Sequence, residues 1–248
     1  MILDKQLLVG YSMGKETHHY SFQFNNRVII YPILFVLLMW LVFWFELRFG
    51  FNFTKYGVLP RELSGLRGIL FSPLIHSNLS HLWHNSIPTL VLLAGLIYFY
   101  RPVALKVFLF LIIFSGLGTW IVGREAYHIG ASGIVYGLAS FLFFKGLWSK
   151  NFRLTAFSLI VVFLYGSLIW GTLPLQDGMS WEGHLSGFLT GAILALLLRN
   201  KIAKVPKYIW ETESYNSDND PFLQQFDENG NFMDPPAPDT DEENFKED

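Results

Sequence analysis

The chain has 248 residues, of which 52% are hydrophobic and 15% are charged, and it contains no cysteine. This composition excludes disulfide bridges, thiolate catalysis and cysteine metal sites, and it is more apolar than that of soluble domains of this size. The first 27 residues carry charges and paired histidines instead of a short apolar core, so we expect no cleavable signal peptide.

Six uncharged runs are long enough, or nearly long enough, to cross a bilayer as helices. A helix needs about 20 apolar residues to span ~30 Å of hydrocarbon. The second run is apolar only over roughly residues 82–100, and the sixth, with 16 uncharged residues, is at the short limit. The runs lie between Arg27 and Glu46, Arg67 and Arg101, Lys106 and Arg124, Glu125 and Lys145, Arg153 and Asp177, and Glu182 and Arg199. The sequence therefore predicts an all-α membrane protein with six transmembrane helices.

Charge divides the chain into a basic part and an acidic part. The formal net charge is +9 up to Val205 and −11 beyond it. Residues 201–248 are acidic, contain prolines and are poor in aliphatic residues, which predicts a disordered tail. We therefore divide the chain into an N-terminal segment (1–27), a six-helix membrane domain (28–200) and a tail (201–248). The basic residues lie beside the spans, which argues against nucleic-acid binding.

The distribution of lysine and arginine predicts which side of the membrane each loop faces. Twelve of these residues lie in the N-terminal segment, the second and fourth loops and the region after the sixth span, and five lie in the other loops. Basic residues near span ends mark the cytoplasmic side, so we expect both termini in the cytoplasm. The compact six-span chain suits a bacterial plasma membrane. The long first loop and the starts of spans two, four and six then lie at the outer face.

Polar residues occupy those three span starts. His81 and Asn85 open the second span, Ser132 opens the fourth, and His184 opens the sixth. Polar side chains inside a membrane are costly and indicate a functional site. A serine becomes a nucleophile when a nearby base, most often histidine, removes its proton. Ser132 and His184 are therefore candidate catalytic partners.

Glycines in the fourth and sixth spans favour a close approach of the two helices. They recur every four residues, a spacing that lets helix backbones touch: Gly133 and Gly137 in one span, and Gly183, Gly187 and Gly191 in the other. Such packing would bring Ser132 to His184. Tyr136 lies one helical turn below Ser132 on the same face, where its ring can stack on the imidazole of His184.

Acyl transfer also needs hydrogen-bond donors for the developing oxyanion. Ser132 at a helix N-terminus offers its own backbone N–H group, in a field that favours negative charge. His81 and Asn85 are spaced i, i+4 and share one face of the second span. Donors of this kind are worth about 3–4 kcal/mol each in other enzymes. We therefore expect these two side chains and the Ser132 amide to form an oxyanion hole.

Three motifs together resemble the rhomboid family of intramembrane serine proteases. They are "HLWHN" in the second span, "GASG" followed by Tyr136 in the fourth, and "GHLSG" followed by Gly191 in the sixth, and the resemblance covers roughly residues 28–200. It implies a six-helix bundle that cleaves transmembrane protein substrates near the outer face through an acyl-enzyme, without a cofactor. It also implies roles for individual residues: Ser132 as nucleophile, His184 as general base, His81 and Asn85 as oxyanion donors, and Tyr136, Gly130, Gly133 and Gly187 as support.

One feature departs from the family pattern. Many members carry a Trp-Arg pair in the first outer loop, whereas this chain has Arg67 without an adjacent tryptophan.

Glu182 lies two residues from His184 on roughly the opposite helix face, so we leave it outside the site. His128, just before the "GASG" motif, is interpreted as a structural residue.

Three other functions remain as alternatives. The first is a catalytically inactive rhomboid-like protein that binds membrane clients, and the second is a small transporter with a histidine-lined path. The third is a metal site built from a histidine cluster, although no HExxH motif is present and we expect no metal. The histidines concerned are His76, His81, His84 and His184.

Overall fold

The computed structural model describes residues 24–175, 178–198, 215–220 and 222–233, so most of the predicted N-terminal segment lies outside the described residues. Within these residues the only β-structure is two isolated bridges. A 3-10 helix, Gly166–Thr172, continues directly from the sixth helix. The helices are α1 (Arg27–Phe49), α2 (Gly68–Phe71), α3 (Leu79–Phe99), α4 (Arg101–Val122), α5 (Ser132–Leu147), α6 (Phe152–Tyr165) and α7 (Trp181–Leu197). The prediction of an all-α protein is confirmed for the described part of the chain.

Four segments are long and apolar enough to cross a membrane: α1, α3, α4, and α6 together with its 3-10 extension. The remaining two long helices, α5 and α7, have 16 and 17 residues. At 1.5 Å per residue they are about 24–26 Å long, which is shorter than the hydrocarbon core. The chain is thus a helical membrane protein, and the count of six spans stays a prediction.

The pattern of buried residues explains how the bundle is arranged. In α1 the buried residues form a single stripe at helical spacing, so one face packs on α3 while the other faces are exposed: Val28, Pro32, Val36, Met39 and Phe43. In α5 burial extends around the whole helix, as expected for a helix at the centre of a bundle. Its most extensive contact is with α7, and it also packs against α3, α4 and α6.

The segment between α1 and α3 folds into short 3-10 turns and α2, and it is fastened to the α4–α5 loop. Val58 and His128 exchange backbone hydrogen bonds of 2.9 and 2.8 Å. Arg67 donates to the carbonyl of Lys55 at 3.0 Å and lies 4.7 Å above the centre of the Tyr56 ring. Arg67 has no adjacent tryptophan in this chain. Its guanidinium instead contacts the ring of Tyr56, eleven residues earlier.

Two helices begin earlier than the charge-free runs predict. Asn78 caps α3 by accepting a hydrogen bond from the backbone N–H of His81, so the helix begins at Leu79 and not near residue 82. Arg101 and Lys106, which we expected in a loop, lie in the first two turns of α4. Long basic side chains are tolerated there because they can extend along the helix toward its end.

The chain divides into two compact units, Met1–Ala203 and Lys204–Asp248. In the second unit the described residues contain turns where the sequence predicts disorder, so the predicted disorder is not confirmed. Asp220 accepts hydrogen bonds from the Tyr215 hydroxyl and the Phe222 amide. The ring of Phe226 contacts the rings of Phe222 and Phe232. Acidic caps and aromatic contacts thus give this segment local structure.

Candidate active site

Ser132 is the first residue of α5, at the end of a tight turn. Gly130 has φ +107, a conformation that side chains rarely adopt, and its N–H donates to the carbonyl of Ser72 at 2.8 Å. Ala131, fully buried, precedes the helix. A first helical residue has no intrahelical acceptor for its N–H group, so the Ser132 amide is available to a ligand.

His184 lies in the first turns of α7, and its Nε2 atom is 2.8 Å from the Ser132 hydroxyl oxygen. The two helices touch along four glycines, which we call the glycine seam: Gly133, Gly137, Gly187 and Gly191. A Cβ atom added to Gly187 would lie 2.0 Å from the carbonyl oxygen of Gly133, and one added to Gly191 would lie 2.1 Å from that of Gly137. Backbone contact therefore sets the distance between Ser132 and His184.

The second ring nitrogen of His184 fixes its protonation pattern. Nδ1 lies 2.9 Å from the carbonyl oxygen of Gly171, in the 3-10 helix that follows α6. A carbonyl can only accept, so Nδ1 must carry a hydrogen, and in the neutral ring Nε2 is then an acceptor. This is the tautomer that can remove the proton of Ser132.

Tyr136 packs flat against His184. The ring centroids are 4.2 Å apart and the planes differ by 8°. The Tyr136 hydroxyl lies directly beside Gly171, where an added Cβ would come within 1.9 Å of it. Gly171 thus leaves room for the tyrosine while it orients the histidine.

His81 and Asn85 lie beside the turn that precedes Ser132. A Cβ added to Gly130 would be 2.6 Å from Nε2 of His81 and 3.6 Å from the Asn85 amide nitrogen. One N–H of that amide donates to the carbonyl of His81 at 3.1 Å, which leaves the second N–H for a ligand. Gly130 is therefore required for space as well as for its backbone angle.

A short chain of hydrogen bonds supports the orientation of His81. The amide of Asn78 donates to the Ser77 hydroxyl at 3.2 Å, and that hydroxyl lies 3.3 Å from Nδ1 of His81. If the hydroxyl passes its hydrogen on to Nδ1, the hydrogen of the neutral imidazole is on Nε2, the atom that faces Gly130. His81 is then a donor toward the site.

Two cavities meet at Ser132. The larger, of ≈ 720 Å³, is lined by all five polar or aromatic candidates: Ser132, His184, His81, Asn85 and Tyr136. The smaller, of ≈ 40 Å³, has a wall rich in hydroxyl groups, contributed by Ser72, Ser115, Thr119, Ser132 and Ser180. Ser132 thus lies between an open cleft and a small polar chamber.

An ion pair joins the start of α7 to the α4–α5 loop. Glu182 is 3% exposed and pairs with Arg124 at 3.2 Å, and Arg124 also donates to the carbonyl of Met179. Next to it, Nδ1 of His128 lies 2.5 Å from the hydroxyl of Ser180. Burial lowers the pKa of His128 below its ordinary value, so the ring is neutral at pH 7. Both contacts fasten the start of α7 to the α4–α5 loop.

The other histidines named from the sequence lie at the edge of the site. His84 lines the larger cavity, and its Nδ1 lies 2.7 Å from the carbonyl of Ser80. His76 is buried, with its ring 5.0 Å from that of His81. In the described part of the chain, no three His, Asp or Glu side chains are arranged to hold a metal ion.

Sequence reasoning missed the backbone partners of the site. Gly171 and Ser72 act through their carbonyl groups, which any residue possesses, so no motif marks them. Asn78 could have been recognised as a helix cap, because asparagine is favoured at that position. The ion pair of Arg124 with Glu182 joins residues 58 apart in the chain, and no local pattern reveals it.

Comparisons with known proteins agree with the motifs. The family model of the Rhomboid domain matches residues 63–201, which include every candidate site residue. An uncharacterised protein of Mycobacterium bovis is 37% identical over 180 residues, which cover 67% of this chain and 73% of the relative, and one of Mycobacterium tuberculosis has the same identity and coverage. An uncharacterised protein of Mycobacterium leprae is 33% identical over 204 residues, which cover 77% of this chain and 78% of the relative.

Proposed function

This chain belongs to the rhomboid family, and on that premise we propose that it is an intramembrane serine endopeptidase with a Ser132–His184 dyad. The observation that carries the proposal is the 2.8 Å hydrogen bond from Ser132 to Nε2 of His184. The carbonyl of Gly171 holds the opposite nitrogen at 2.9 Å and selects the basic tautomer. A neutral acceptor aimed at a serine hydroxyl is the arrangement that nucleophilic catalysis requires.

The first half of the reaction forms an acyl-enzyme. Ser132 Oγ bonds to the scissile carbonyl carbon as its proton passes to Nε2 of His184. The tetrahedral intermediate then collapses, the C–N bond breaks, and His184 returns the proton to the leaving amine. The oxyanion is stabilised by the Ser132 amide, Nε2–H of His81 and the free N–H of Asn85.

The second half hydrolyses the ester. A water molecule gives a proton to His184 and attacks the acyl carbon, and His184 then protonates Ser132 Oγ as the C–O bond breaks. The polar chamber of ≈ 40 Å³ behind Ser132 exceeds the ~10–15 Å³ that one water needs, and its hydroxyl groups offer hydrogen bonds. The chamber therefore has the size and the polarity to supply the attacking water locally.

The substrate class follows from where the dyad lies. We infer that all six long helices cross the bilayer, with both termini in the cytoplasm and the starts of α3, α5 and α7 near the outer face. α5 is only about 24 Å long, so Ser132 at its start lies below the membrane surface. Protein substrates with a transmembrane helix can present a carbonyl at that depth.

Cleavage of a transmembrane substrate in liposomes tests the proposal. The native protein is compared with Ser132→Ala, His184→Ala and the control Ser140→Ala, which loses only a hydrogen bond from its hydroxyl to the Phe188 carbonyl. A fluorophosphonate probe reports on Ser132 independently of the substrate. We expect the native protein and the control to cut and to be labelled, and both dyad variants to do neither. Client binding without labelling at Ser132 would instead support the inactive rhomboid-like alternative.

A further inference from the structure

A third cavity, of ≈ 750 Å³, adjoins the catalytic cleft. It is lined by residues 50–56, which follow α1, and by Tyr127 in the α4–α5 loop; we call it the aromatic cavity. Tyr127 also lines the catalytic cleft, so the two spaces share a wall. The aromatic cavity is therefore a direct neighbour of the cleft that contains Ser132.

The position of the aromatic cavity relative to the dyad is fixed. Val58 and His128 pair through two backbone hydrogen bonds, immediately next to the segments that line it. Glu46, near the end of α1, accepts a hydrogen bond from the backbone N–H of Phe53 at 2.6 Å. The cavity is thus held at both ends by the folded loop, which gives a ligand a preformed site.

Aromatic rings form its walls. Phe51 and Phe53 stack with centroids 5.8 Å apart and planes 20° apart, and Tyr56 follows at 6.0 Å from Phe53. Phe51 and Tyr127 are 53% and 43% exposed, which leaves ring surface for a ligand. Flat, partly exposed rings bind large apolar and aromatic side chains.

The charged residue that lines the cavity, Lys55, is positive. Lys55 lies 5.4 Å above the Tyr56 ring, and Arg67 lies over the same ring at 4.7 Å. Among the described residues Lys55 has no carboxylate partner. A negatively charged group on a bound segment would complement this charge.

We infer that the aromatic cavity is an exosite for the segment that flanks the substrate's transmembrane helix. It selects segments that combine a large apolar or aromatic residue with an acidic one. The inference rests on the proposed function, because its ligand is part of a protease substrate. The shared wall at Tyr127 favours this occupant, because a substrate bound at Ser132 brings its own flanking segment close to Tyr127, whereas a lipid headgroup need not contact this wall.

The test uses three substrates with the same transmembrane helix and scissile region but different flanking segments. One flank contains phenylalanine and aspartate (Phe/Asp), one contains phenylalanine and lysine (Phe/Lys), and one contains only glycine and serine (Gly/Ser). KM is measured in liposomes for the native protein, Lys55→Glu, Tyr127→Ala and the control Phe49→Ala. Phe49 is an exposed ring of the same aromatic run but does not line the cavity. Fluorophosphonate labelling of Ser132 is measured in every variant.

We expect the Phe/Asp flank to lower KM ~10-fold relative to Gly/Ser. Lys55→Glu should reduce the preference for the Phe/Asp flank ~5-fold and should lower KM for the Phe/Lys flank instead. Tyr127→Ala should reduce the preference for both aromatic flanks, and Phe49→Ala should leave it intact. Labelling of Ser132 should not change in Lys55→Glu or in Phe49→Ala, neither of which lines the catalytic cleft.

Three results would contradict the exosite but not the proposed serine protease activity, because labelling of Ser132 and cleavage would persist. They are a KM independent of the flank, an equal loss in Phe49→Ala, and a KM that follows the fraction of anionic lipid instead of the flank. Absence of both labelling and cleavage in the native protein would overturn the proposed function, and the exosite with it.

Discussion

The carbonyl oxygen of Gly171 accepts a hydrogen bond from Nδ1 of His184, at 2.9 Å, on the side of the ring opposite Ser132. A backbone carbonyl thereby orients the histidine and sets its tautomer. It does so without a carboxylate, which in its ionised form would be costly inside a bilayer. The orienting group belongs to the 3-10 helix after α6, so we expect the position of that helix to matter for the proposed catalysis.

Gly171→Ala should disable the dyad. The new Cβ would lie 1.9 Å from the Tyr136 hydroxyl, so the tyrosine or the 3-10 helix must move. Since displacements of about 1 Å can cost ~100-fold in rate, we expect kcat/KM to fall by roughly 10–100-fold. Gly166→Ala in the same 3-10 helix is the control, because its Cβ would meet only Val162 at 3.5 Å. Equal activity of the two variants would contradict this role of Gly171.

Tyr136→Phe should rescue part of that loss. The phenylalanine keeps the stacked ring on His184 but lacks the hydroxyl that collides with the alanine. We therefore expect Tyr136→Phe/Gly171→Ala to be several-fold more active than Gly171→Ala alone, and Tyr136→Phe alone to stay near native activity. Cleavage kinetics of the four proteins form a double-mutant cycle. Additive losses would show that the hydroxyl is not the obstacle.

Gly187→Ala should separate α5 from α7. Its Cβ would lie 2.0 Å from the Gly133 carbonyl, and a backbone atom cannot turn away as a side chain can. Overpacking of this kind costs about 1–3 kcal/mol or more, and the Ser132–His184 distance should lengthen with it. We expect a lower thermal midpoint in detergent together with loss of cleavage. Leu189→Ala, at a half-exposed position of α7, should change both only slightly.

Arg124→Ala should destabilise the protein more than Arg124→Ala/Glu182→Gln does. The single change removes the cationic partner of a buried carboxylate, which then keeps only the backbone N–H of residue 124, whereas the double variant leaves a neutral amide. Arg124 is 42% exposed, so solvent screens the pair and we expect a difference of about 1–2 kcal/mol in the free energy of unfolding. Denaturant unfolding of both variants in detergent provides the measurement. A double variant no more stable than the single one would refute this account of Glu182.

Stability should fall in acid partly through His76. Burial, with a smaller contribution from nearby His81, lowers the pKa of His76 to about 4, while the unfolded residue titrates near 6.5. The unfolded state binds the proton more readily than the folded state does. The contribution of the neutral His76 ring to the free energy of unfolding is therefore present above pH 6.5 and is lost as the pH falls from about 6.5 to about 4. His76→Phe should flatten the dependence of the thermal midpoint on pH across that window. An unchanged slope would assign the acid sensitivity to other groups.

The sequence was sufficient for features that depend on side-chain type and regular spacing. The charge-free runs located the long helices. The glycines spaced four residues apart predicted the contact between α5 and α7 that brings Ser132 near His184. Helix ends were less accurate, because α3 begins at an asparagine cap and not where the apolar residues begin. A single hydrogen bond, accepted by the side chain of Asn78 from the His81 amide, therefore decides that boundary.

The rest of the site depends on contacts between distant parts of the chain. The carbonyl of Gly171 and the ion pair of Arg124 with Glu182 act only because the 3-10 helix and the α4–α5 loop are folded against α7. Glu182 looked irrelevant because it points away from the face of His184. Its function lies in fastening the start of the helix, and only the three-dimensional arrangement reveals that.

The glycine seam has a consequence for how such a protein can be re-engineered. Since contacts between main-chain atoms set the spacing of Ser132 and His184, we expect replacement of side chains in the loop at residues 50–56 to leave that spacing unchanged. In the proposed protease, substrate preference and catalytic power are therefore separable properties. Libraries aimed at new cleavage specificities can vary the exposed side chains of this loop, provided that the four glycines are kept.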